Sequence, residues 1–240
     1  MASVRLDKFV SSSLAKTRSE AHLLIKKGRV ELNGKVEKDI GKKLDPENDV
    51  VTCEGISLTF SKYHYYMLNK PDGYVCSTED IKDRTIMELL DEKVRHYNVF
   101  PVGRLDKDTL GLVILTDNGA LAHFLLSPKR HVDKKYYLET DLPMTEEDVK
   151  KAEEGIDIGE KHLTLPAKLE ITSDRTKAYI TLHEGKFHQI KRMLQALGKT
   201  VIYLERIEFD KIKLDPDLKR GELRELTPEE TESLLKNMAL

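Results

Sequence analysis

The chain has 240 residues, of which 39% are hydrophobic and 34% charged, with a formal net charge of −2. That length allows one or two domains with a real core, and the composition excludes a disordered chain. No apolar run approaches membrane-spanning length and the first residues lack the apolar centre of a signal peptide, so a cytoplasmic location and no membrane partner are expected. Two isolated cysteines, Cys53 and Cys76, and eight scattered histidines argue against a disulfide framework and a zinc site.

At the N-terminal end, Leu6, Phe9, Val10 and Leu14 recur at helical spacing. Thr17 and Glu20 stand three apart, as in a capping box, so a second helix starts there and Gly28 ends it. Residues 29–32 read as a strand, Asn33-Gly34 as a hairpin turn, and residues 49–52 as a further strand. Residues 1–43 hold eleven Lys and Arg against five Asp and Glu, a net of +6. Such segregation of charge fits an RNA-facing end, although a solvated helix face would carry it too.

Residues 59–62 read as a linker, which divides the chain into domains 1–60 and 61–240. Beyond it, strands are expected at 63–68, 112–115, 135–140, 167–172, 178–183 and 201–209. Helices are expected at 85–90, 118–126 (ended by Ser127-Pro128), 145–155, 187–197 and after Thr227-Pro228. Strands and helices do not alternate regularly. The fold class is therefore α+β, with a small helix-helix-strand domain followed by a mixed, largely antiparallel sheet with flanking helices.

The most informative stretch is residues 103–119, GRLDKDTLGLVILTDNG. It sets Asp106 on a glycine-flanked loop, directly before an apolar run that reads as a strand buried on both faces. An acid held in that way can be positioned for chemistry, whereas an ordinary surface turn would use the same residue types.

Three segments, 67–78, 103–119 and 184–194, together resemble the pseudouridine synthase family, in the branch that acts on small-subunit (16S) ribosomal RNA. The N-terminal unit resembles the α-L RNA-binding domain of ribosomal protein S-four type. The resemblance implies isomerisation of one uridine to pseudouridine, with Asp106 as the catalytic carboxylate and Lys191 as its basic partner. A carboxylate has a reference pKa of roughly 3.9 and is ionised at neutral pH, and a neighbouring cation holds it so. Other branches commonly carry Arg at the position of Lys191, and Lys cannot make a two-pronged contact. A tyrosine beside the target base is also implied. Tyr136 and Tyr137 both fit, and since adjacent strand residues face opposite ways only one can enter the site; Tyr136 is the choice. Isomerisation involves no redox and no leaving group, so no cofactor is expected.

The same resemblance implies RNA contacts by Arg5, Lys8, Arg18, Ser19, Lys26, Lys27 and Arg29 in the first domain, and by Lys70, Arg104 and Arg192 in the second. The expected partner is ribosomal RNA or a small-subunit assembly intermediate, bound by a monomer. Alternatives are a large-subunit target with the same chemistry, a non-catalytic RNA-binding or assembly factor, and a carboxylate glycosidase. The trio argues against a mere binder, and a glycosidase would want two functional carboxylates, a role nothing assigns to Asp108.

Overall fold

The computed structural model describes residues 3–127, 130 and 132–236. Contacts group the chain into two compact units, one of residues 1–64 with Asp91–Val99 and one of Tyr65–Leu90 with residues 100–240. The sequence divides at 60, and the assignment of Asp91–Val99 to the first unit lies apart from that division.

The first unit begins with β1 (Val4–Arg5), α1 (Leu6–Leu14) and α2 (Arg18–Lys26). The Thr17–Glu20 capping box is present: Glu20 N donates to Thr17 Oγ1 at 3.2 Å, and Thr17 N donates to Glu20 at 2.8 Å. The strands β2 (Val30–Leu32), β3 (Lys35–Val36), β4 (Lys43–Leu44), β5 (Val51–Cys53) and β6 (Ile56–Ser57) follow. They form a β3-β2-β5-β6 sheet, while β4 pairs with β1. Both residues of the Asn33-Gly34 turn have positive φ, 52° and 76°, as the tight hairpin requires. Leu6, Phe9, Val10, Ala21, Ile25 and Val51 close the core, and Phe60 stacks on Phe9 at 5.4 Å.

A helix absent from the sequence reading, α3 (Glu92–His96), completes this unit. Asp91 caps it by accepting from Val94 N at 2.8 Å. The following Tyr97 stacks on His64 at 3.5 Å and donates its hydroxyl to Ser12 O at 3.2 Å.

The second unit is built on one sheet. Its strands are β7 (Tyr65–Lys70), β8 (Phe100–Pro101), β9 (Leu110–Thr116), β10 (Lys134–Thr140), β11 (Lys168–Ile171), β12 (Lys177–Leu182), β13 (Val201–Phe209), β14 (Ile212–Lys213) and β15 (Leu223–Glu225). The order is β11-β12-β10-β13-β9-β7-β15, with β14 on β13 and β8 on β9. Among these strands only β13 and β9 run parallel. The helices are α4 (Gly119–Leu126), α5 (Glu146–Glu154), α6 (Gln189–Ala196) and α7 (Pro228–Lys236). Ser127 caps the end of α4; Pro128, expected to stop it, lies outside the described residues.

Leu112, Val113, Ile114 and Leu115 are fully buried, which is the two-faced burial expected of β9. Where β9 meets β13, Gly111 takes φ +97° opposite Arg206. A Cβ there would lie 2.3 Å from the Arg206 carbonyl oxygen, so only glycine lets the two strands meet.

Candidate active site

The loop before β9 is fixed from beneath. Lys70, at the end of β7, is fully buried and its ammonium donates to the carbonyls of Pro71 at 3.1 Å, Lys107 at 2.9 Å and Thr109 at 2.8 Å. Gly73 N also donates to Lys107 O, and Thr109 N closes a turn onto Asp106 O. Burial pushes the Lys70 ammonium below its ordinary pKa, while the nearby Asp72, Asp106 and Asp108 pull the other way. Lys70 is therefore no phosphate contact: its three donors are used inside the protein, out of reach of a ligand.

Lys191 rises from α6 toward this loop. Its Nζ lies 3.3 Å from Asp106 Oδ2 and 2.5 Å from Asp108 Oδ1, so one ammonium serves two carboxylates. Burial opposes ionisation of Asp108, but the hydrogen bond and charge of Lys191 outweigh it and hold its pKa below the usual carboxylate range. His188, the N-cap of α6, brings Nε2 to 3.7 Å from Asp106 Oδ1 from an unusual left-handed backbone, φ 47°. Gln189 braces the turn, accepting from Lys186 N at 2.9 Å and donating to Glu184 at 2.8 Å.

Tyr136 lines the same pocket as Asp106 and Lys191, together with Arg104 and Leu204. It is 8% exposed, and burial pushes its phenol above the ordinary value while Arg206, its partner on β13, acts in the opposite sense. Tyr137 faces the other side of the sheet, against Tyr179 and Tyr203, and donates its hydroxyl to Glu139 at 2.5 Å. The alternation of the strand thus puts Tyr136, not Tyr137, beside Asp106.

The other expected contacts divide by what already holds them. Arg104 is exposed at the rim of the pocket. Arg192 is committed within the protein: Nη1 donates to Glu160 at 2.8 Å and to Phe187 O, and Nη2 donates to Ile158 O. It ties α6 to the 158–160 loop rather than presenting a free fork. In the first unit Lys8, Ser19, Lys26, Lys27 and Arg29 are exposed, with Arg29 3.5 Å from Glu54. Arg5 and Arg18 are half exposed and both rest on the buried Asp7, at 3.1 and 2.8 Å, with His22 at 3.0 Å. Asp7 ionises well below the usual carboxylate range: burial opposes this, and its hydrogen bonds to Arg5 and His22 prevail.

Three features of the site were not foreseen. Asp108 shares Lys191, His188 approaches Asp106, and Arg206 lies 1% exposed beneath Tyr136. The signal for Arg206 was its place two residues after Leu204, on the inward register of β13.

A family model described as RNA pseudouridylate synthase matches residues 64–196, and one described as the S4 domain matches residues 4–51. The ribosomal small subunit pseudouridine synthase A of Vibrio cholerae is 43% identical over 234 residues, covering 97% of this chain and 100% of its own. That of Escherichia coli K12 is 39% identical over 233 residues, with 97% and 100% covered. An uncharacterized RNA pseudouridine synthase of Bacillus subtilis is 42% identical over 230 residues, with 95% and 96% covered. A crystal structure described as a pseudouridylate synthase superposes with a TM-score of 0.68 at 40% identity, covering 96% of this chain and 99% of that one. Fold, sequence and domain order agree from end to end: the chain belongs to the RNA pseudouridylate synthase family and carries an S4 domain ahead of its synthase domain.

Proposed function

We propose that this protein converts one uridine of small-subunit ribosomal RNA to pseudouridine, with Asp106 as the reacting carboxylate. The observation that carries this reading is the convergence of Asp106, Lys191 and Tyr136 on one pocket from three separate elements. The names of the Vibrio cholerae and Escherichia coli relatives support the small-subunit target.

The reaction breaks the bond between base nitrogen and ribose C1′ and makes one between ring carbon five and C1′; the proton on that carbon departs to solvent and the freed nitrogen takes one up. Atoms and electrons balance with that proton exchange alone, so no electron carrier is required. Asp106 acts on the nucleoside as nucleophile or base, and Lys191, 3.3 Å away, aims its carboxylate. Tyr136 lies against the uracil ring and, with Leu204, forms an apolar flank for it. A stacked base cannot reach such a pocket, so the uridine must be unpaired or flipped out, at a cost of roughly a few kcal/mol. Contacts by the S4 domain to phosphates would offset that cost.

Tritium release from ribosomal RNA labelled at ring carbon five tests the assignment. Asp106→Asn should abolish release with RNA binding nearly intact, whereas Asp108→Asn should keep activity within roughly tenfold, because Lys191 then serves Asp106 alone. Near-wild-type release by Asp106→Asn would overturn the reading, and mapping of pseudouridine in both subunits' RNA from a deletion strain fixes the target.

A further inference from the structure

A second cavity lies beside the Asp106 pocket and shares Arg104, Tyr136, Glu184, Gly185 and Lys186 with it. Its floor is cationic. Arg206 is 1% exposed; its Nε donates to Leu112 O at 2.8 Å, and its Nη2 is buried without a hydrogen-bond partner among the described residues. Leaving a buried charged donor unsatisfied is costly, so such a group calls for a partner. Lys134 lines the same cavity, donating one bond to Val132 O at 2.9 Å. Both cations lie over the Phe209 ring, Arg206 at 5.1 Å and Lys134 at 5.8 Å. Burial, and then the charge of Arg206, push Lys134 down to about 8.

The carboxylates nearby are already used. Glu184 accepts from Leu165 N and Gln189 Nε2, each at 2.8 Å, and Asp133 holds His183 at 2.6 Å. A half-buried lysine and a fully buried arginine thus face one cavity, and among the described residues no carboxylate is committed to either. An anion entering it would meet the Lys134 donors that no other described residue uses, with Arg206 as a fixed charge beneath.

We propose that this cavity receives a phosphodiester group of the substrate strand next to the uridine held at Asp106, with Lys134 as its contact. The inference rests on the RNA reading above. It places a positioning contact on the far side of Tyr136 from Lys191. One cavity would then take the base and its neighbour the backbone, and the strand would be fixed across Tyr136.

The test uses the full chain and short ribosomal RNA oligonucleotides in which single phosphates around the target uridine are replaced by neutral methylphosphonates. Anisotropy measures binding and tritium release measures turnover. For wild-type protein, one substitution adjacent to the uridine should weaken binding about tenfold, as loss of one charge-assisted contact would. Lys134→Gln should bind the unmodified RNA about tenfold more weakly and be indifferent to that same methylphosphonate, while Lys134→Arg restores both affinity and sensitivity. Equal sensitivity of wild type and Lys134→Gln at every phosphate would overturn the proposal. So would unchanged RNA affinity of Lys134→Gln. Because anisotropy does not depend on turnover, these outcomes remain distinct from a failure of isomerisation, which would strike the proposed function instead.

Discussion

Lys134 illustrates at the scale of one side chain how a binding group costs stability. Its pKa of about 8 in the folded protein lies below the roughly 10.4 of a free lysine, so the folded state disfavours its charge. Between those values the unfolded chain binds more protons than the folded one, and stability rises with pH. Below about 8 the cost is fully present. Lys134→Met should therefore raise stability at pH 7 by about 1–2 kcal/mol after allowance for solvent screening, with the gain fading as pH approaches 10.4. Urea unfolding of both proteins at pH 7 and pH 10 checks this; a pH-independent difference would refute it. Side chains of this kind were the least legible in the sequence. Asp106, Lys191 and Tyr136 stood in recognisable segments, but the sharing of Lys191 by Asp108 depends on how α6 crosses the loop, which no spacing within either segment reveals. Lys70 was misread for the same reason. It sits among Pro71, Asp72 and Gly73, residues that announce an exposed turn, and only the sheet reveals that its ammonium is turned inward.

At the scale of elements, the last residue of β7 is the anchor of the loop that leads into β9. Lys70→Met keeps the apolar stem and deletes the ammonium, which leaves the carbonyls of Lys107 and Thr109 without that donor. The variant should lose about 2–4 kcal/mol of stability. Because the loop carries Asp106, its turnover should fall more than its affinity for RNA. Denaturant unfolding together with kcat and KM from tritium release separates the two effects, and a variant with unaltered stability would show that the three bonds are dispensable. Elements themselves were readable wherever pattern and local chemistry agreed. The run Leu112–Leu115, the Thr17–Glu20 box and the Asn33-Gly34 turn each gave the observed structure, since burial, capping and positive φ are written in adjacent residues. The pairs β1–β4 and β13–β14, of two residues each, and the five-residue α3 were not, because so few residues carry little periodicity. The N-cap Asp91 is the local signal for α3 that the sequence does carry.

For the whole molecule, the charge count of −2 conceals the distribution that matters. Lys8, Lys26 and Lys27 are exposed on the first unit, whereas Arg5 and Arg18 share Asp7. The three lysines are therefore the better probes of phosphate contact. Replacing all three by Gln should flatten the dependence of log affinity on log salt by about two units, at roughly 0.7 per contact on single-stranded RNA. Unaltered affinity and slope would return them to an ordinary solvated surface.

Residues Asp91–Val99 belong to the first unit although both their flanks belong to the second. The chain therefore changes unit three times, after residues 64, 90 and 99. Neither unit is one uninterrupted stretch of polypeptide, and the two are interlaced in sequence rather than strung in series. A protease nick between residues 60 and 64 would separate α1 and α2 covalently from α3, yet Tyr97 would still hold Ser12 through its hydroxyl. A gene fusion that exchanges RNA-binding modules by cutting once at the linker would leave behind a helix and a tyrosine fitted to the module it discards. A swap that preserves the packing has to carry two inserts, the N-terminal segment and the short excursion at 91–99, as a matched pair.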